Sequence, residues 1–589
     1  MKAVFRVIVM IIAVFFVILI SLISLSPNST NIDKNLTVSQ LVATQQELLS
    51  EKNINIDQIS FQDNPEIYKD DVPSSVVTIF ITVMEKDLDT WAAMNEYKSP
   101  ATANDVDTTD QNVEAIVQFG NDSGPLPTEF GFNDINPNAV VELRGAKSVF
   151  DSQKSFKLTL DNSSGAWRGQ SIINLNKHLT DETRFRNKLS FDLMKGIPHL
   201  VTLRTQFVHL FVRVISSEGQ NAFVDYGLYT QVEQPNRRFL DSRLLDGNGQ
   251  LYKAVNFLFT QYPDQIRLVT DPSYDKDTFS QVLEIKGDED HSKLIQMLSD
   301  LNNYDIPIET TFEKYFDSEN YFTWMAFNIL TGNVEVVSQN YFLYSPKNGD
   351  KWYFIPWDYD KAFPLQTNPG LATKTYLPWQ KGVSNYWAST LHRRVLENDQ
   401  YQSSLDKKMD EMLGYLNQDT INGFVQMYQP VIDKYSFAMP DAFHMPVDIN
   451  TSHQIGSLLP SDIDANYSLY VESLETPMPF EMGTPTKSGS NLNFVWGSSF
   501  DLGKRDLTYQ FVLGKDWAFN EVIYQKDIMD TSIDVPLNLL VPGKYFWRVT
   551  AVNSLGKIQY SYSYYTDANS EIHPGIKRFY FTNNNQVME

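Results

Sequence analysis

The sequence contains no cysteine. This absence excludes disulfide bonds, thiolate-bound zinc and a cysteine nucleophile. Histidine is also scarce, because only 8 are scattered over 589 residues and none forms a pair at a ligand spacing such as HExxH. A histidine-based metal centre would therefore need distant residues to converge.

The sequence also lacks clusters of positively charged residues. The 48 Lys and Arg residues are outnumbered by 72 Asp and Glu residues, which gives a formal net charge of −24. No block of basic residues interrupts this acidity, so nucleic acid is not an expected partner. A hydrophobic content of 42% indicates a globular protein, and 589 residues are more than one core normally holds. Two or more domains are expected.

A nearly unbroken apolar run occupies residues 7–25 and follows two basic residues. Its length suits one membrane-spanning helix, and a cleaved signal peptide is the alternative interpretation. The lack of a clean cleavage site favours an uncleaved anchor over residues 1–25. The positive-inside rule then predicts a single-pass protein of the cell membrane with most of its chain outside the cytoplasm, or a secreted protein if the segment is cleaved. Residues 26–72 are polar and are predicted to form a stalk.

Hydrophobic periodicity predicts strands in the first half of the folded region and helices in the second. The predicted strands are Ser75–Val83, Val113–Phe119, Ala139–Leu143, Lys154–Leu160, Phe207–Ile215, Tyr226–Val232 and one beginning at Leu251. The predicted helices are Thr180–Lys195, Asn236–Asp246, Ser292–Leu301, Ser318–Leu330, Tyr386–Leu396, Tyr401–Leu416, Thr420–Lys434 and Ala465–Leu474. From about residue 484 the alternation returns, notably over Gly543–Val552, which predicts a β-sandwich.

One predicted hairpin, between Gly332 and Pro364, carries the most informative chemistry. Two apolar runs flank an Asn-Gly turn signal at 347–350. Antiparallel pairing would bring the residues before the first strand next to those after the second. The side chains gathered in this way are Glu335, Asn340, Asp358 and Asp360. Such oxygen ligands suit Mg2+ or Mn2+, and a structural calcium site or a polar sheet edge is the alternative.

The interval between Glu335 and Asn340 is five positions, as in the HRDxxxxN catalytic segment of protein kinases. In that segment the acid orients the attacking hydroxyl and the Asn holds a divalent ion. Asp358 stands where a second metal-binding Asp would follow the hairpin. Upstream, Arg144 and the basic strand beginning at Lys154 could hold phosphates, and an ordinary edge strand with protective lysines is the alternative.

Eight segments, taken in order, carry a resemblance to a known family. They are Glu142–Gly145, Lys154–Lys157, Arg184–Asn187, Gly227–Glu233, Leu251–Lys253, Asn333–Glu335, Asn340–Tyr344 and Ile355–Asp360. The chain resembles the CotH-like (spore coat protein H) atypical kinases over about residues 75–475. This implies an α+β architecture with a two-lobed kinase-like domain at 73–480, placed after the transmembrane helix. The tail at 484–589 resembles a fibronectin type III-like β-sandwich.

The resemblance also implies roles for individual residues. Glu335 and Asp358 are the catalytic candidates, and Asn340, Asp358 and Asp360 are the metal-binding candidates. Lys154, or else Lys157, would contact the nucleotide phosphates together with Arg144. The carboxylate paired with that lysine is predicted to be Glu233, with Glu182 as second choice. The family usually has Asp at position 335, and the longer Glu moves the carboxylate by on the order of 1 Å.

The implied activity is ATP-dependent transfer of phosphate to Ser or Thr hydroxyls of exported or surface proteins, with Mg2+ or Mn2+. The expected partners are a protein substrate on the cell surface or envelope, and the membrane through the N-terminal helix. Two alternatives stay open. One is a pseudokinase scaffold that binds nucleotide or metal, and the other is a surface adhesion protein that acts through its C-terminal module.

Overall fold

The computed structural model describes residues 61–96, 111–145, 150–161, 163, 165–217, 219, 221–364, 376–582 and 586–588. The predicted anchor and residues 26–60 of the predicted stalk lie outside these ranges. Within the described part of the chain, no helix is both long and apolar enough to cross a bilayer.

The folded region begins earlier than the sequence predicted, because residues 61–72 contact the domain. Phe61 is buried and stacks on Tyr353 with ring centroids 4.4 Å apart. Asp63 lies 3.0 Å from the Arg243 guanidinium. These contacts assign 61–72 to the folded domain rather than to a stalk.

The N-terminal part of the fold is a closed sheet of eight strands with one helix beside it. Strand β1 pairs with β7 in parallel and also with β2, so the path β1-β7-β8-β6-β5-β4-β2 returns to its start, and β3 extends β2. Closure removes the exposed edges of these strands. The elements are β1 (Val76–Val83), α1 (Leu88–Asn95), β2 (Asn112–Asn121), β3 (Gly124–Pro125), β4 (Ala139–Leu143), β5 (Phe156–Leu160), β6 (Ile172–Asn176), β7 (Thr205–Val214) and β8 (Val224–Glu233).

The interior of this closed sheet is apolar because alternate residues of each strand face inward. On β5 Phe156, Leu158 and Leu160 are buried, whereas Lys157 is only half-buried. β5 lies between β4 and β6, so it is an internal strand and not the edge strand that its lysines suggested.

Helix α2 (Arg186–Met194) starts later than the predicted Thr180. The Asp181 carboxylate accepts hydrogen bonds from the backbone N–H groups of Thr183 and Arg186, both at 2.9 Å. Arg184 has a left-handed backbone with φ of 60°. This local turn competes with helix formation over 180–185.

The next part of the fold is a four-stranded sheet surrounded by helices, in the order β10-β9-β11-β12. Its aromatic core includes Trp324, which stacks on Phe354 with ring centroids 4.5 Å apart. The elements are α3 (Arg237–Ser242), β9 (Gln250–Ala254), α4 (Lys276–Ser280), β10 (Leu283–Ile285), α5 (Ser292–Leu301), α6 (Ile308–Tyr315), α7 (Ser318–Leu330), β11 (Tyr341–Ser345) and β12 (Tyr353–Pro356).

Four further helices complete the α-rich lobe. The last is longer than the predicted Ala465–Leu474, because Asp448 caps an earlier start and Pro460 is accommodated inside the helix. The four are α8 (Thr390–Leu396), α9 (Asp399–Tyr415), α10 (Gln418–Tyr435) and α11 (Ile449–Glu475).

The C-terminal region is a β-sandwich, as the alternation predicted. Phe494 and Trp547 meet across the two main sheets with ring centroids 5.0 Å apart. Its strands are β13 (Thr486–Ser488), β14 (Asn491–Val495), β15 (Leu507–Gly514), β16 (Val522–Ile528), β17 (Ser532–Pro536), β18 (Gly543–Asn553), β19 (Ile558–Tyr560), β20 (Tyr564–Thr566), β21 (Ile572–Pro574), β22 (Ile576–Phe581) and β23 (Val587–Met588).

The sandwich is attached to the helical lobe by direct contacts. Phe500 stacks on Trp387 with ring centroids 5.4 Å apart. The Asn553 side chain donates to the Glu475 carbonyl at 2.8 Å, at the end of α11. These contacts place both regions in one compact unit that begins at Phe61.

Candidate functional site

The hairpin formed by β11 and β12 brings Asn340 and Asp358 to the same end, as predicted. Tyr341 pairs with Pro356, so the residues just outside that pair are neighbours. Asn340 and Asp358 both have left-handed backbones, with φ of 62° and 58°. Such conformations are uncommon for residues other than glycine, and they concentrate at functional sites. We call this place the hairpin end; it comprises Arg144, Glu335, Asn340, Asp358 and Asp360.

The carboxylates at the hairpin end influence one another. Burial raises the pKa of Asp358 to about 6, the charges of Asp360 and Glu335 add to this rise, and His178 and Arg144 oppose it. An ionised Asp358 is therefore costly without a nearby cation. The structure thus gathers the predicted acids and Arg144 into one electrostatic cluster.

Asp360 is oriented by two residues that the sequence did not single out as site residues. His178 Nδ1 lies 3.6 Å from Asp360 Oδ2, and Asn187 Nδ2 lies 3.2 Å from His178 Nε2. The Asn187 amide oxygen also accepts from the Tyr359 backbone N–H at 2.8 Å. If the amide donates to Nε2, the proton of a neutral His178 lies on Nδ1 and faces Asp360. Of these two residues, only Asn187 belongs to a segment that carries the family resemblance in the sequence, namely Arg184–Asn187.

Glu335 lies in a short 3-10 turn, Val334–Val337, that follows α7. Its Oε1 accepts from Lys361 Nζ at 3.2 Å. Burial lowers the pKa of Lys361, but the charges of Glu335 and Asp360 outweigh burial and raise it overall. The candidate base therefore has an ammonium partner that the sequence did not reveal.

Arg144 follows β4 and reaches the hairpin end. Its guanidinium bonds to the Asn176 side-chain oxygen and lies over the Trp357 ring, 5.4 Å from the centroid. Burial lowers the pKa of Arg144, while the charges of Asp358 and Asp360 act in the opposite direction. A half-buried guanidinium beside two carboxylates can bind an anion such as a phosphate.

The two candidate lysines have different surroundings. Lys154 is buried and its Nζ donates to the Asp151 carbonyl at 2.8 Å. Burial raises the pKa of Asp151, the charges of Lys154 and Arg184 lower it, and that of Asp360 raises it, so Asp151 lies within electrostatic range of both Lys154 and Asp360. Lys157 instead pairs with Glu142 across β4 and β5 at 2.7 Å. The geometry favours Lys154.

Both carboxylates suggested as the partner of that lysine are bonded to arginines instead. Glu233 accepts from Arg243 NH2 at 2.7 Å and from the Arg204 backbone N–H at 3.0 Å. Glu182 is bonded to Arg186. Glu233 therefore joins the end of β8 to Arg243, the residue after α3.

The hairpin end fits a hard divalent cation by its donor chemistry. Mg2+ is usually held by one or two carboxylates together with phosphates and water, so a third protein carboxylate is not required. Asp358, Asp360 and the Asn340 amide supply such oxygens. In the described part of the chain, a tighter group occurs in the sandwich, where ligand atoms of Asp567, Glu571 and His573 lie within 4.8 Å of one another.

Similarity to known proteins agrees with this arrangement. A model of the CotH kinase protein family matches residues 141–453. The inner spore coat protein H of Bacillus subtilis (strain 168) is 24% identical over 300 residues, which cover 50% of this chain and 75% of that protein.

Two solved structures overlap the chain only distantly. The Shewanella oneidensis MR-1 complex of HipA, HipB and operator DNA gives a TM-score of 0.26 at 13% identity, covering 66% of this chain and 84% of that one. The Helicobacter pylori proinflammatory kinase CtkA gives 0.20 at 11% identity, covering 58% and 96%. Scores this low carry no argument about the fold.

The family match ends before the sandwich, so the type III-like character of 484–589 stays a prediction. It does include every residue of the hairpin end and spans more than half of the 589 residues. The chain belongs to the CotH kinase protein family.

Proposed function

We propose that the hairpin end is the catalytic centre of a protein kinase that transfers phosphate from ATP to Ser or Thr hydroxyls. The observation that carries this proposal is the juxtaposition of Asn340 and Asp358 within a cluster where Asp358 is costly to ionise. The family to which the chain belongs supports it.

In this proposal Asn340 and Asp358 hold a divalent cation, with Asp360 beside them. That cation, Mg2+ or Mn2+, would neutralise charge on the nucleotide phosphates. Arg144 and Lys154 bind phosphate oxygens from the side of the closed sheet. His178 and Asn187 fix the carboxylate of Asp360.

Glu335 is the proposed base that orients the substrate hydroxyl and accepts its proton. For this step the ion pair with Lys361 must loosen or leave one carboxylate oxygen available. Lys361 is then free to face the transferred phosphate, where its positive charge stabilises the transition state.

The apolar run at residues 7–25 supports the proposed location, and the family resemblance supports the proposed substrate. We propose a chain anchored by residues 1–25, with the kinase domain and sandwich outside the cytoplasm and acting on exported or surface proteins.

A nucleotide-binding scaffold without transfer is the second candidate. The Glu335–Lys361 pair favours it, because the proposed base is already paired with an ammonium group at 3.2 Å. The longer Glu in place of the usual Asp points in the same direction.

Mn-ATP is expected to raise the melting temperature of the full chain, whereas ATP or Mn2+ alone should raise it less. A ligand present at about 100 times its Kd stabilises a protein by about 2.7 kcal/mol. Differential scanning calorimetry measures the shift. Asn340→Gly should abolish it, because glycine accepts the left-handed backbone but offers no amide oxygen.

The matched control is Asp567→Asn in the sandwich, which should keep the full Mn-ATP shift. Loss of the shift in that variant, or its persistence in Asn340→Gly, would assign nucleotide–metal binding to another site.

A further inference from the structure

A cleft of about 340 Å³ opens on the β-sandwich, and three aromatic rings line it. They belong to Trp517, Phe546 and Tyr565. None of the three is part of the core cluster that fills the space between the sheets. The volume lies within the range of small-molecule binding sites. Phe546 is only 1% exposed and packs edge to face against Tyr565 with ring centroids 4.9 Å apart, so the rings that a ligand can reach are those of Trp517 and Tyr565.

The ring of Trp517 is held in place by a chain of contacts. His573 stacks on it with ring centroids 3.7 Å apart and an interplanar angle of 23°. His573 Nε2 lies 3.2 Å from Asp567 Oδ2, and Asp567 Oδ1 accepts from the backbone N–H groups of Asn569 and Glu571, both at 2.9 Å. A ring fixed before binding loses little entropy when a ligand stacks on it. The same contacts also account for the closeness of Asp567 and His573 without a metal.

Three polar side chains without hydrogen-bond partners among the described residues also line the cleft, beside the aromatic rings. The Lys544 ammonium lies over the Phe546 ring, 5.4 Å from its centroid. Among the described residues, neither the Lys544 ammonium nor the Tyr565 hydroxyl has a hydrogen-bond or ion-pair partner, and the Asn569 side chain also has none. The cleft therefore offers hydrogen-bonding groups of both kinds beside the rings.

The charged residues that line the cleft balance one another. Lys515 and Lys544 carry two positive charges, Asp516 and Asp567 carry two negative charges, and Lys515 is ion-paired with Glu521 outside the lining. Asp516 is committed to its own turn, because its carboxylate accepts from the backbone N–H groups of Asn520 at 3.1 Å and Glu521 at 2.9 Å. The lining thus has no net charge to favour a strongly charged ligand.

We propose that this cleft binds a neutral saccharide. A sugar ring presents C–H groups on its faces and hydroxyls at its edge. The C–H groups suit the electron-rich faces of the half-buried rings of Trp517 and Tyr565. The hydroxyls suit Lys544, Tyr565 and Asn569. In this role the sandwich holds the chain on a polysaccharide, independently of the chemistry at the hairpin end.

Isothermal titration of the full chain with chitotetraose, cellotetraose and maltotetraose tests the proposal, with tetragalacturonate as the charged comparison. At least one neutral tetrasaccharide should bind. Trp517→Ala should weaken that binding about tenfold or more, because it removes the fixed ring. Trp517→Phe should keep most of it, which separates loss of the aromatic face from a disturbed loop.

Tyr564→Ala is the matched control, since Tyr564 is 54% exposed on the neighbouring position of β20 and does not line the cleft. It should leave binding unchanged. The proposal is overturned if no neutral tetrasaccharide binds at millimolar concentration, if Trp517→Ala binds as the wild type does, or if only tetragalacturonate binds.

Discussion

Asp358→Asn is expected to reduce phosphate transfer by on the order of 10³-fold, the loss seen when a preorganised electrostatic contact to the reacting group is removed. Asparagine tolerates the left-handed backbone at this position, where φ is 58°, so the hairpin should keep its shape. The variant also removes a carboxylate whose pKa is raised to about 6 by burial and by Asp360. The nucleotide-free variant should therefore melt at the same temperature as the wild type or higher.

Radiolabelled phosphate incorporation, into the chain itself and into envelope proteins, measures the transfer, and calorimetry measures the melting temperature. Asp350→Asn is the matched control, because Asp350 is an exposed acid at the turn of the same hairpin. Loss of activity together with a lower melting temperature would indicate a structural role for Asp358. Full activity in Asp358→Asn would exclude it as a metal ligand.

Asp441→Ala is expected to destabilise the protein by about 3–5 kcal/mol, the usual cost of breaking a buried ion pair. Asp441 Oδ1 lies 2.6 Å from Lys177 Nζ, and the two side chains are 4% and 2% exposed. The second oxygen accepts from the Leu228 backbone N–H at 2.7 Å. Gly227 is required beside this pair, since a Cβ there would lie 2.3 Å from the Asp441 carboxylate.

The pH dependence of this loss follows from Lys177. Burial lowers its pKa to about 8, although Asp441 opposes the effect. Removing Asp441 lowers that pKa further, while the pKa of the unfolded chain stays near its usual value of about 10.4. The folded variant therefore releases the Lys177 proton at a lower pH than the folded wild type, whereas the two unfolded chains release it at the same pH. The stability of the variant rises more with pH than that of the wild type, so the stability lost in Asp441→Ala should shrink as the pH rises from 7 to 10.

Urea unfolding at several pH values measures this effect. Lys177→Met combined with Asp441→Asn is the informative partner variant, because it removes both charges and keeps an oxygen for Leu228. It should recover more than half of the stability lost in Asp441→Ala. A double variant as unstable as the single one would show that the charges are not the source of the loss.

The hairpin end was predictable because its determinants are local. The Asn-Gly turn at 347–350 and the two flanking apolar runs fixed the pairing, and pairing places Asn340 beside Asp358. The exact bounds of Ala139–Leu143, Ser292–Leu301 and Ser318–Leu330 were predicted for the same reason, since periodicity and capping act within a few residues.

The partners of individual side chains were not predictable, because they depend on long-range closure. His178 reaches Asp360 only because the segment after β6 folds against the hairpin. Glu233 was assigned to a lysine, but the chain returns within ten residues and places Arg243 against it. Nothing in the local sequence of β5 shows that the sheet closes through the parallel pairing of β1 and β7, which makes it an internal strand.

The most direct test of the catalytic assignment is anomalous X-ray diffraction from crystals of the full chain with Mn2+ and a non-hydrolysable ATP analogue. We predict a manganese peak within bonding distance of oxygens from Asn340 and Asp358, with the analogue's phosphates facing Arg144 and Lys154. A peak at Asp567, Glu571 and His573 alone, with no nucleotide at the hairpin end, would contradict the account.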